Sequence, residues 1–191
     1  MMIRTIACLL VSAGLVVAAE NPIDYRVLAT NKTSTMEKEL NEASEAGFRM
    51  DKVMGGKSAF GGSEVIVVMS KAKSASAAKK YSYKLLATSK TSTMEKELND
   101  AGSEGFNYID QTVFNSAFGG DEVVAILELD RETRARVRYE YKLLATSKTS
   151  TMQKELQTFG DLGFQFVGVT VSKTAFGGNE VLSILRKEVA R

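Results

Sequence analysis

From Tyr25 onward the chain moves through distinct hydrophobic rhythms in a fixed order. Tyr25–Thr30 is a short run of strand formers that ends in polar sequence, which predicts a first strand. Met36, Leu40 and Ala43 then share one helical face, and Ser34 followed three residues later by Glu37 has capping-box spacing. Gly47 suits a left-handed helix stop. Phe48 and Met50 alternate with polar neighbours as a half-buried strand does, and a phase slip near Val53 suggests a bulge. After the turn K-S-A-F-G-G-S-E, Val65–Met69 is apolar on both faces, as expected of a central strand covered on both sides. The predicted order is strand, helix, strand, strand.

The whole cycle then returns twice. Y-R-V-L-A-T-N-K-T-S-T-M-E-K-E-L from Tyr25 recurs as Y-K-L-L-A-T-S-K-T-S-T-M-E-K-E-L from Tyr83 and as Y-K-L-L-A-T-S-K-T-S-T-M-Q-K-E-L from Tyr141. The offset of 58 residues also holds at Phe48/Phe106/Phe164, so nothing is inserted or deleted between copies. A fixed period of this size marks repeated structural units. The expected organisation is α+β, with tandem β-α-β-β repeats over residues 25–71, 83–130 and 141–187. A unit of about 47 residues is marginal by itself. Each sheet is therefore expected to carry its helix on one face and another repeat on the other, in a compact pseudo-threefold body.

Residues 1–19 read as a signal peptide. Arg4 precedes an apolar stretch that runs from Ile6 to Val-Ala-Ala at 17–19, ahead of polar Glu20. The stretch is short of the roughly 18 residues of a membrane span. Cys8 lies before most of it, whereas a lipid-modified cysteine should follow. The expected location is periplasmic or secreted.

Cleavage after Ala19 removes Cys8 and leaves a chain with no Cys, His or Trp. That inventory excludes disulfides, zinc sites of the Cys/His kind, and Ser-His or Cys-His catalytic pairs. The net charge of +2 falls to +1 without Arg4, too little to favour nucleic acid or an anionic membrane. The repeated carboxylates Glu37 and Glu39 point to different sides of a helix and make a poor acid–base pair.

The crossover helix makes the first and second strands of each unit run parallel, so their C-terminal ends share one sheet edge. That edge gathers a helix N-terminus, a lysine, two hydroxyls and the aromatic of the A-F-G-G turn. The residues are Lys32, Thr33, Ser34 and Phe60; Lys90, Thr91, Ser92 and Phe118; Lys148, Thr149, Ser150 and Phe176. Free N–H groups, a helix dipole and a lysine suit a small anion. The same residues serve equally as helix caps and turn formers. K-T-S-T lacks the glycine lead-in of a phosphate loop.

Tyr139-Glu140-Tyr141-Lys142, Leu98-Asn99, Glu104-Gly105-Phe106 and Ile184-Leu185-Arg186-Lys187 resemble the motifs of a small bacterial family of unknown function. Phe stands where that family usually has Trp, and the A-F-G-G turn is no feature of it. The resemblance spans all three repeats and implies the strand–helix–strand–strand fold without an activity. The element order is also similar to that of dodecin-like proteins and of small periplasmic stress proteins, by fold analogy alone.

Sequence therefore leads to an exported, non-enzymatic repeat protein without cofactor or metal, acting as a structural or protein-interaction module. The alternative is a small-anion binder using the loops above. The expected partner is a protein or a small anion, with no nucleic acid and no stable membrane insertion, and an oligomer is possible.

Overall fold

The computed structural model describes residues 21–58, 62–75, 80–88, 90–116, 120–132, 137–173 and 179–190. The signal-peptide reading of residues 1–19 and the tips of the A-F-G-G turns, with Phe60, Phe118 and Phe176, lie outside them. The chain is α+β and consists of three β-α-β-β units. The first is β1 (Ile23–Thr30), α1 (Thr33–Glu45), β2 (Arg49–Ser58) and β3 (Gly62–Ala72). The second is β4 (Tyr81–Thr88), α2 (Thr91–Ser103), β5 (Asn107–Ser116) and β6 (Gly120–Asp130). The third is β7 (Val137–Thr146), α3 (Thr149–Asp161), β8 (Gln165–Lys173) and β9 (Asn179–Ala190).

Each unit forms a three-stranded sheet with its last, most apolar strand in the middle: β1-β3-β2, β4-β6-β5 and β7-β9-β8. Both outer strands run antiparallel to the central one, hence parallel to each other. Thr30 lies opposite Val65 and Ser58 opposite Gly62, so both C-terminal ends reach one edge as expected. The bulge falls slightly earlier than the alternation suggested, between Met50 and Lys52, and recurs between Tyr108 and Asp110 and between Phe166 and Gly168. Gly47, Gly105 and Gly163 end the helices at φ of 87°, 96° and 86°, a region costly for any residue with a Cβ.

Packing between units follows chain order. Met36 and Leu40 of α1 share a core with Val65 and Val67 of their own sheet and with Tyr83, Val124 and Ile126 of the next sheet. Met94 and Leu98 of α2 likewise join Leu127 to Tyr141, Leu143 and Ile184. Each such side chain contributes about 1.5–3 kcal/mol on burial. The layers therefore run sheet, α1, sheet, α2, sheet, α3. A closed threefold body would have to bury α3 against β1. Here α3 has no buried residue and β1 keeps Tyr25 exposed, so the body is a stack with two open ends. Among the described residues, no helix is long and apolar enough to cross a membrane.

Candidate functional site

Lys32, Lys90 and Lys148 occupy the N-cap positions with extended backbones (φ −125°, −113° and −122°), and no side chain caps the helix. Thr33, Thr91 and Thr149 are the first helical residues, so Ser34, Ser92 and Ser150 sit one place further inside. This corrects the capping-box expectation: a capping side chain must come from the non-helical residue, and that residue is lysine. Thr30 Oγ1 instead accepts the Lys32 N–H at 3.1 Å, and Thr88 and Thr146 repeat the bond to Lys90 and Lys148. All three lysines are exposed.

Thr33 and Ser34 border a cavity of about 360 Å³ between the first two units, closed by Glu37, Leu85–Ala87 and Glu97. Thr91 and Ser92 border its counterpart of about 470 Å³ with Glu95, Lys96 and Asn99. The predicted hydroxyls thus reach inter-unit grooves, but the predicted lysines do not line them. Glu37 and Glu97 give the first groove carboxylate charge that opposes an anion, whereas Lys96 stands beside Glu95 in the second. Thr149 and Ser150 are exposed.

The densest polar chemistry lies along the seams between units, in residues that the capping argument passed over. Glu37, Asn41 and Ser44 form a polar stripe on α1 beside its apolar face. Glu37 Oε2 accepts the Leu85 N–H at 2.8 Å. Asn41 brackets Tyr83, accepting its N–H at 3.0 Å and donating to its carbonyl at 2.9 Å. Ser44 Oγ donates to the Tyr81 carbonyl at 2.6 Å. The second seam repeats the pattern: Glu95 accepts the Leu143 N–H at 2.9 Å, and Asn99 brackets Tyr141 at 2.9 Å both ways. Gly102 stands at the Ser44 position, where an added Cβ would meet the Tyr139 carbonyl oxygen at 2.2 Å. The recurrence of Glu and Asn at spacing i, i+4 in the first two copies was the readable signal.

Tyr83 and Tyr141 lie inside strands that begin earlier than the repeat pattern suggested, at Tyr81 and Val137. Tyr83 and Tyr141 are both buried. Tyr83 Oη accepts the Met50 N–H and donates to Glu128 Oε2 at 2.8 Å. Tyr141 Oη accepts the Tyr108 N–H at 2.7 Å and donates to the Phe106 carbonyl at 3.0 Å. Burial pushes the phenols of Tyr83, Tyr108 and Tyr141 well above their ordinary range.

Two charged pairs cross the first seam: Lys52 Nζ lies 3.0 Å from Asp110 Oδ2, and Arg49 meets Glu128. Arg49 Nη2 donates to Glu128 Oε1 at 2.9 Å and its Nε to Oε2 at 3.1 Å, and this bonding holds the guanidinium pKa above its ordinary value against the opposing effect of burial. In the second seam the polarity reverses, and Arg186 donates to Asn107. Among the described residues, no group of three or more metal-ligating side chains forms.

Comparison with protein-family models, curated proteins and solved structures finds no match to this chain.

Proposed function

We infer that this is an exported, non-enzymatic repeat protein that works as a structural or protein-interaction module. One observation carries that reading: the glutamate and asparagine shared by the first two helices are engaged in holding neighbouring units together. Glu37 with Asn41, and Glu95 with Asn99, bind the backbone of the following strand in two seams of the same geometry. Buried tyrosines complete both seams by accepting an N–H beside each bulge. Side chains used in this way are held rigid by strands on either side and offer no reactive group to a substrate. The exposure of Lys32, Lys90 and Lys148 away from both grooves favours this reading over small-anion binding through them.

Native mass spectrometry and chemical cross-linking of the gently purified exported chain test the proposal. The expected result is a mass beginning at Glu20 and cross-links to protein, without a retained small molecule. A small anionic adduct that disappears when all three lysines become alanine would replace this reading with the anion-binding one.

A further inference from the structure

Among the described residues, large exposed apolar side chains gather on the first and third units, and the second unit has none. Tyr25, Val27 and Met54 lie on the open face of the first sheet, and Phe166, Val169 and Val171 lie along β8 beside α3. Clustered exposure of this kind marks interaction surfaces. These two patches are also the separated halves of a seam that the chain already makes twice. Tyr25 stands 58 residues before Tyr83 and is 67% exposed, whereas Tyr83 is 3% and Tyr141 2% exposed. Phe166 stands at the position of Met50 and Tyr108 and is 51% exposed, where each of those is 5%.

We propose that a second copy of this chain docks head to tail, setting the open face of its first sheet on α3 and β8. This rests on the interaction-module reading and names the partner. Every element of the existing seams has its counterpart. Gln153 replaces Glu37 and Glu95 and can accept the Val27 N–H of the incoming copy through its amide oxygen. Gln157 replaces Asn41 and Asn99 and can bracket the backbone of Tyr25, exchanging its exposed 2.8 Å bond to Asp161. The Tyr25 hydroxyl meets the Phe166 N–H beside the third bulge. Gly160, the counterpart of Ser44 and Gly102, has nothing within 4 Å of an added Cβ, so a strand carbonyl has room to enter. Gln165 and Ser70 take the places of the Arg49–Glu128 pair, so no like charges meet at that position.

The two patches lie at opposite ends of the layer order with the second sheet between them, which directs the contact to another molecule. Such an interface joins unlike surfaces, so it extends into a chain of copies or closes as a ring.

Sedimentation velocity of the mature chain over a wide concentration range, with Tyr25→Glu and Phe166→Glu variants, tests this. Both positions are exposed in the single chain, and circular dichroism with a melt checks that each variant folds. Wild type is expected to form species beyond dimer as concentration rises, and each variant alone to be monomeric. An equal mixture of the two variants should stop at dimer, because only one sound head and one sound tail remain. A wild-type monomer at every concentration, unimpaired assembly of either variant, or a mixture that stays monomeric overturns the proposal. Such a failure leaves the module reading to its own test, since cross-links to other proteins do not depend on self-association.

Discussion

Tyr83 Oη lies 2.9 Å from the Met50 amide nitrogen and accepts its hydrogen across the seam between the first two units. The bond sits beside the bulge in β2, where the register of the ladder slips. At the third bulge, in β8, Phe166 is exposed.

High pH should weaken this arrangement. Burial raises the pKa values of Tyr83, Tyr108 and Tyr141, so the folded chain keeps the phenols protonated where the unfolded chain loses them. Stability is therefore fully present below the unfolded value of about 10 and falls as pH rises beyond it, by about 1.4 kcal/mol per pH unit for each buried phenol. Urea midpoints are expected to show no tyrosine-linked loss from pH 7 to 9 and to drop above about pH 10. Tyr141→Phe should reduce the slope; an unchanged slope would show that this phenol does not carry it.

Arg49 and Glu128 should behave as a unit. Removing the guanidinium alone, in Arg49→Met, leaves a buried carboxylate with only the Tyr83 hydroxyl, at a cost of about 2–4 kcal/mol. Because Arg49 is half exposed, the lower part of that range is expected. The double variant Arg49→Met/Glu128→Met should recover most of the loss. Chemical denaturation of wild type, Arg49→Met, Glu128→Met and the double variant measures the coupling directly.

The three copies provide their own control for the bracketing amides. Asn41→Ala and Asn99→Ala each remove two hydrogen bonds to a strand backbone and should cost about 1–3 kcal/mol. Gln157→Ala, at the same position in α3, should leave the melting temperature of the dilute chain within about a degree, a change of at most ~0.5 kcal/mol. Equal losses at all three sites would mean that helix stability, and not the seam, is being measured.

Glycine substitutions should divide in the same way. Gly102→Ala drives a Cβ toward the Tyr139 carbonyl and should destabilise the second seam by about 1–3 kcal/mol. Gly160→Ala meets open space and should stabilise the dilute chain by about 0.5–1 kcal/mol through helix propensity. Thermal melts at low concentration separate the two.

Two polar residues in the layers should be improvable. The Ser183 hydroxyl and both side-chain polar atoms of Gln111 are buried without a hydrogen-bond partner. Sister units carry Val67 and Ala125 at the first position and Val53 and Val169 at the second. Ser183→Ala and Gln111→Val are each expected to raise stability by about 1 kcal/mol, read as a higher urea midpoint.

Element order, central strand, helix stops and bulges were legible because they arise from local spacing repeated three times. Met36, Leu40 and Ala43 mark their face without knowledge of anything distant. The stacking was not legible to the same degree. Covering an open sheet face is satisfied equally by a ring of three and by a row of three, and the apolar pattern of one unit is alike in both. The difference lies in Tyr25 and Phe166, which have the sequence of buried residues and the exposure of surface ones. The capping box failed for a related reason. Ser34 and Glu37 have cap-like spacing, but Glu37 reaches a strand of the next unit, a partner 48 residues away that local spacing does not reveal.

The reversed polarity at the two seams also bears on the order of the units. The backbone contacts of Asn41 and Asn99 are interchangeable and would accept either following strand. Their neighbours are not. If the third unit followed the first directly, Arg49 would confront Arg186 where it now meets Glu128. Two guanidinium groups forced together at a partly buried position cost more than a bracketing amide returns. Among near-identical copies, this one position therefore marks the first and third units as poor neighbours and the second as the one that fits between them.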